Sequence, residues 1–180
     1  MDKDTLKNVV ECLLFIADRS LAEEEICEIA GIRDKKKITE AIRSLDKDYK
    51  SRNTGLEISE VAKGFRICTK SEYAGWVKKL YRTETTYQVS QSALETLSII
   101  AYKQPITRAE IETIRGVDIS GVLRGLLVKK LVKVSGRKKC PGRPLTYRTT
   151  DKFLMYFGLK DLSELPRLDE ISVKEEGEKE

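Results

Sequence analysis

Residues 131–166, LVKVSGRKKCPGRPLTYRTTDKFLMYFGLKDLSELP, constrain the fold more than any other part of the chain. Two strand-like runs, 131–135 and 145–149, flank a turn that holds Gly136, Pro141, Gly142 and Pro144, the pattern of a β-ribbon. Pro141 and Pro144 fix φ and remove amide donors, while Gly142 between them permits a bend that other residues resist, so the tip is held in one shape. Arg143 in that tip either braces the turn or meets a partner. Three helix-like stretches stand upstream. Three helices followed by a ribbon is the order of a winged helix, a relative of the helix-turn-helix in which the ribbon forms the wing.

The order occurs twice. AEEEICEIAGI, ending at Ile32, has its counterpart in TRAEIETIRGV, ending at Val117: Ile26 matches Ile111, Gly31 matches Gly116 and Ile32 matches Val117 at one offset of 85. A repeat of this length present in two copies indicates duplication of one domain, since a solenoid needs more copies. The expected fold is therefore mostly α with small β-ribbons (α+β), as two tandem winged-helix domains. Helices are expected near 4–18, 22–30, 34–51 and 71–82, with a ribbon at 56–69, and then near 92–103, 107–115, 119–130 and 151–157, with a ribbon at 131–149. The pairs Ser20/Glu23, Ser92/Glu95 and Thr107/Glu110 have capping-box spacing and mark three helix starts. The domains read as 1–83 and 92–166, joined by a linker at 84–91 and followed by an acidic tail at 167–180, which is expected to be disordered.

Charge is unevenly distributed. Of the net +5, residues 1–85 carry +1, residues 86–166 carry +7 and residues 167–180 carry −3. The wing tip, with Arg137, Lys138, Lys139 and Arg143, is the most basic point. Such a tip can neutralise phosphates, meet an acidic protein segment or stand in water, and charge alone does not choose. The longest apolar run, 12–17, falls far short of the roughly 18 residues that span a bilayer, and no cleavable leader is evident, so the expected location is cytoplasmic.

The common catalytic chemistries lack their parts. The chain has no histidine, no phosphate-binding G-x-x-x-x-G-K-[ST] loop and no recognisable nucleophile motif, and Glu23, Glu24 and Glu25 fit a first helical turn, where they favour the helix dipole. Cys12, Cys27, Cys68 and Cys140 are scattered without a CxxC pair. The first three read as buried thiols, and no metal or cofactor is expected.

The third helix of each domain tests for a DNA reader, because that helix enters the major groove in helix-turn-helix proteins. In the first domain its inward stripe is Ile38, Ile42, Leu45 and Tyr49, and its outer face mixes Lys36, Lys37, Arg43 and Lys47 with Glu40, Asp46 and Asp48. Those carboxylates repel phosphate. In the second domain Val122, Leu123, Leu126 and Leu127 leave Ser120, Gly121, Arg124, Gly125 and Val128 outside, and of these only Arg124 suits base edges. Gly121 and Gly125 lie one turn apart, and each costs the helix about 1 kcal/mol relative to alanine. Either they admit a neighbouring helix of the same chain, or they floor a groove for a partner. The first helix poses a similar choice. Leu6, Val10, Leu13, Leu14 and Ala17, with Val9, Phe15 and Ile16, cover more of its circumference than one core stripe requires. The surplus face meets either a second copy of the chain or the closing helix with Tyr73, Trp76, Val77 and Leu80.

Specific residues carry a family resemblance. Gly136-Arg137, Pro141-Gly142-Arg143-Pro144, Tyr147, Thr149-Thr150, Phe153-Leu154, Phe157-Gly158-Leu159 and Leu165-Pro166 resemble the C-terminal domain of the segregation and condensation protein B family. So do Leu94-Glu95-Thr96-Leu97, Ile99-Ile100-Ala101-Tyr102, Gln104-Pro105-Ile106-Thr107, Ile114-Arg115-Gly116-Val117 and Val122-Leu123-Arg124 with Leu126-Leu127. The similarity spans about 5–167 and is weaker in the first domain. It implies a homodimer formed mainly through the N-terminal domain, and binding of the kleisin subunit ScpA (segregation and condensation protein A). Through the kleisin it implies association with the SMC ATPase in the prokaryotic condensin that compacts and separates chromosomes. That would be a non-catalytic role, nucleoid-associated through the complex, with direct DNA binding weak or absent and no membrane contact. On this reading Leu6, Val10, Leu13, Leu14 and Ala17 are dimer candidates and the wing motif comprises Gly136, Arg137, Pro141, Gly142, Arg143, Pro144 and Tyr147. Gly121, Arg124, Gly125 and Val128 are kleisin candidates from the small-residue face rather than from a family motif. The alternative is a tandem winged-helix DNA-binding transcription regulator.

Overall fold

The computed structural model describes residues 1–80 and 89–167; most of the expected linker and nearly all of the acidic tail lie outside them. The chain runs α1 (Lys3–Ile16), α2 (Glu23–Ala30), α3 (Lys35–Ser51), β1 (Leu56–Val61), β2 (Gly64–Thr69) and α4 (Ala74–Leu80). It continues with α5 (Gln91–Lys103), β3 (Ile106–Thr107), α6 (Arg108–Arg115), α7 (Ser120–Val128), β4 (Val132–Arg137), β5 (Leu145–Thr149) and α8 (Asp151–Phe157). This is the tandem winged-helix, α+β architecture.

Local chemistry sets most helix ends. The Asp2 carboxylate accepts from the Thr5 amide at 2.8 Å to start α1, and Asp34 does the same for α3 through the Lys36 amide. Thr107 and Glu110 form the expected capping box on α6. The other two expected boxes do not form. The N-cap of α2 is Ala22, with no side-chain bond, and α5 is capped by Ser90 through the Ala93 amide. The spare carboxylates are used elsewhere: Glu23 accepts from Thr39 and pairs with Lys35, and Glu95 pairs with Arg115. Gly31 and Gly116, matched by the repeat, both close their helices with positive φ, 66° and 69°, a conformation that favours glycine.

The second winged helix has a three-stranded sheet in the order β3-β5-β4, antiparallel throughout. Its counterpart in the first is the hairpin β1-β2 plus a single bridge from Leu21 to Phe65. Leu21 precedes Ile106 by the same offset of 85, so the small third strand is also duplicated. Close approach at this bridge excludes a side chain from Gly64. A Cβ there would lie 2.7 Å from the Leu21 carbonyl carbon and oxygen.

Each winged helix has its own core. Leu6, Val10, Leu14, Leu21, Ile26, Ile38 and Ile42 fill the first, and Leu97, Ile100, Ile111, Ile119, Leu126, Leu131 and Phe153 are central to the second. Each fully buried Leu or Ile contributes about 1.5–3 kcal/mol from apolar burial. In the second, Thr96 is buried with a purpose. Its hydroxyl accepts from Arg115 Nη1 at 2.8 Å, and the same nitrogen reaches the Ser92 carbonyl at 2.7 Å, locking α6 against α5.

Candidate partner-binding surfaces

The α1 helix has two apolar faces, and only one belongs to its own core. Leu6, Val10 and Leu14 are buried, and the half-buried Leu13 and Ala17 pack against the same cluster. These five residues, expected at a dimer interface, therefore form or border the interior of the first winged helix. The correction follows from geometry: i, i+4, i+8 spacing makes one stripe, and that stripe meets α3 and Ile26. The surplus face is a turn away. Phe15 is 71 % exposed and Ile16 79 %, and Cys12, expected to be buried, stands exposed beside them.

Nor does the closing helix cover that face. No residue of α4 is buried, with Trp76 68 % and Leu80 76 % exposed, and the Trp76 ring lies 6.2 Å from that of Tyr73. The first winged helix thus presents unpartnered aromatic and aliphatic side chains on both α1 and α4. That is more apolar exposure than scattered single residues would explain.

The α3 helix, in the recognition position, is long, and several of its charges are paired with carboxylates or lysines nearby. Lys50 bonds Asp46 at 2.6 Å, Asp48 holds Lys7 at 2.7 Å, and Lys35 reaches Glu23 and Glu24. Of these carboxylates only Glu24 is well exposed; Glu23, Asp46 and Asp48 are held against α1, α2 or α3 itself. In the second winged helix α7 is short, and Gly121 and Gly125 have nothing within 4 Å of where a Cβ would project. Among the described residues no other helix fills their open side. Arg124 and Val128 are exposed alongside, Val128 by 74 %, so the four candidates share one open face with a small-residue floor.

The wing beside α7 is braced from within. Arg137 donates to the Arg143 carbonyl at 3.2 Å, the Lys138 amide to the Pro144 carbonyl at 2.9 Å, and the Arg143 amide to the Cys140 carbonyl at 2.9 Å. Arg143 therefore braces the tip through its backbone, at a φ of 41°, while its side chain stays exposed. A bulge between Val134 and Gly136 redirects the ribbon, and Pro141 and Gly142 lie at its exposed end. Tyr147, opposite Val134, is buried and anchors the wing in the core. Lys138 is ion-paired with Glu110, tying wing to α6. That ammonium, together with the Thr107 amide and hydroxyl, holds the Glu110 carboxyl down to about 2. With Glu95, Glu112 and Asp118 paired to Arg115 and Arg108, Lys133, Arg148 and Arg124 are left without a carboxylate partner among the ion pairs of the described residues. Among those residues no group of His, Cys, Asp and Glu is placed to hold a metal ion, and no helix is long and apolar enough to cross a membrane.

Two winged helices, one with bare apolar helices and one with an open glycine-floored face beside a braced wing, define a protein-interaction module. The family model for segregation and condensation complex subunit ScpB matches residues 8–168. Segregation and condensation protein B of Moorella thermoacetica is 43 % identical over 177 residues, covering 98 % of this chain and 90 % of that protein. The protein of the same name from Bacillus mycoides is 43 % identical over 94 % of this chain and 90 % of its own length. The chain belongs to the segregation and condensation protein B family. Among solved structures, ScpB of Mycobacterium tuberculosis is 29 % identical with a TM-score of 0.44, covering 88 % of this chain and 98 % of that one. A dimer of an ScpB N-terminal domain complexed with an ScpA peptide is 28 % identical over 43 % of this chain and 95 % of that one, with a TM-score of 0.40.

Proposed function

We propose that this chain is a non-catalytic subunit of a prokaryotic condensin, acting in chromosome condensation and segregation as a homodimer that binds the kleisin ScpA. Through the kleisin it engages and regulates the SMC ATPase, and it is a cytoplasmic protein that joins the nucleoid as part of the complex. Residues 1–83 serve dimerisation, with the outer α1 face at Phe15 and Ile16 and the bare α4 in place of the inner stripe. Residues 92–166 bind the kleisin on the face formed by Gly121, Arg124, Gly125 and Val128. The observation that carries this reading is family membership across residues 8–168, and the open side of α7 supplies a surface that fits it. The regulator reading finds no support in either third helix.

Calorimetric titration of the full chain with the central segment of the kleisin, against duplex DNA at matched salt, tests the assignment. The expected outcome is saturable, weakly salt-dependent binding of the kleisin segment and none of duplex. Strong, salt-steep duplex binding without kleisin binding would reverse it.

A further inference from the structure

The hairpin of the first winged helix is not free at its tip. The turn between β1 and β2 is only two residues, Ala62 and Lys63, both in the left-handed region with φ of 51° and 60°. Such turns favour Asn-Gly or Asp-Gly, and neither Ala nor Lys has an intrinsic reason to be there. Both turn amides are spent outside the hairpin. The Ala62 N–H donates to the Leu159 carbonyl and the Lys63 N–H to the Lys160 carbonyl, each at 2.9 Å. Glu60, next to the turn, pairs with Lys160 at 2.9 Å, and the Ala62 methyl packs against the core cluster of the second winged helix. The receiving segment is shaped for this. Gly158 closes α8 in the left-handed conformation, the Leu159 amide turns back to Leu154, and the Lys160 amide is held by Glu164.

We propose that the tip of the first wing is a reversible latch that fixes the angle between the two winged helices by docking on residues 159–160. Two backbone bonds set its geometry. The half-exposed ion pair contributes little alone, so the latch is weak enough to open when a partner competes or salt screens the charges. Closed, it holds the α7 face at one attitude to the bare α1 and α4 helices. Open, the two winged helices no longer hold one fixed attitude to each other. A hairpin turn of unfavourable sequence is kept because its amides serve the neighbouring domain.

Spin labels at Cys140 and at Lys47→Cys, in a chain also carrying Cys12→Ser, Cys27→Ser and Cys68→Ser and diluted with unlabelled chain, report the distance between the two winged helices. The parent should give a narrow distribution at low salt. Lys160→Glu, which faces Glu60, Asp161 and Glu164, should broaden it, and adding Glu60→Lys should narrow it again. Ala62→Asp separates turn from docking, because Asp suits the left-handed position yet places a carboxylate against the second core and the Leu159 carbonyl. It should broaden the distances while leaving the first winged helix as stable as before. A distribution that is broad in the parent, or that stays narrow in both Lys160→Glu and Ala62→Asp, overturns the latch.

Discussion

The two winged helices follow one plan and use its parts in opposite ways. In the first, the wing is turned inward, its tip bonded to residues 159–160, while the bare surface lies on helices α1 and α4. In the second, the wing is braced from within and left exposed, and the bare surface lies on α7 beside it. The third helices diverge too. The α3 helix is 17 residues long with a mixed-charge outer face that includes the Lys50–Asp46 pair, whereas α7 has nine residues and two open glycines. After duplication the same topology can serve docking in one copy and reception in the other, because fold and site are separate properties.

The sharpest way to break the comparison is to charge α1 on either side. Leu14→Glu buries a carboxylate without a partner and should remove about 3–5 kcal/mol, enough to unfold the first winged helix in a thermal melt. Phe15→Glu, one residue away, should leave melting unchanged and convert a dimer to a monomer in light scattering. A dimer that survives Phe15→Glu would move self-association to α4. Next in size is Arg115→Ala in the second winged helix, which removes the guanidinium that bonds the Thr96 hydroxyl and the Ser92 carbonyl and pairs with Glu95. A loss of about 2 kcal/mol confined to that domain is expected by chemical denaturation.

Smaller, and opposite in sign, is Gly125→Ala. With open space around the position, alanine should stabilise the helix by about 1 kcal/mol while weakening kleisin binding, since the methyl occupies the floor of the face. Stabilisation with unchanged affinity would place the kleisin elsewhere. The smallest effect is on acid sensitivity. Glu110 titrates near 2 when folded against a usual 4.5, so its contribution is complete above about 4.5 and is lost as pH falls through about 2. Glu110→Gln should flatten the dependence of stability on pH across that window and detach Lys138 of the wing from α6.

Much of this was legible in the sequence, and the exceptions have physical reasons. The repeat, the two ribbons and the helix order follow from periodicity and turn residues, which are local signals. Of the inward stripe, Ile38, Ile42 and Leu45 are buried as spaced and Tyr49 is partly buried. The arc of α1 that its own core takes was not legible, because a helix apolar around most of its girth does not name it. Only packing against α3 and Ile26 decides that. Two capping boxes failed because S-x-x-E spacing also arises where the glutamate serves Lys35 or Arg115. The bridge at Leu21 and the two-residue β3 were not expected at all, being too short to show any alternation. The latch was invisible for another reason: its bonds run from main-chain amides to main-chain carbonyls, which every sequence possesses.

Two similar domains made in tandem on one chain can exchange helices during folding, and the Arg115 network bears on that hazard. The position 85 residues earlier is Ala30, so the polar lock exists in one copy only. If α6 were to settle on α1 instead of α5, its guanidinium would lose both Thr96 and the Ser92 carbonyl. The loss penalises the wrong pairing as well as strengthening the right one. Arg115 would thus mark α5, the helix encoded just before α6, as the correct partner for α6.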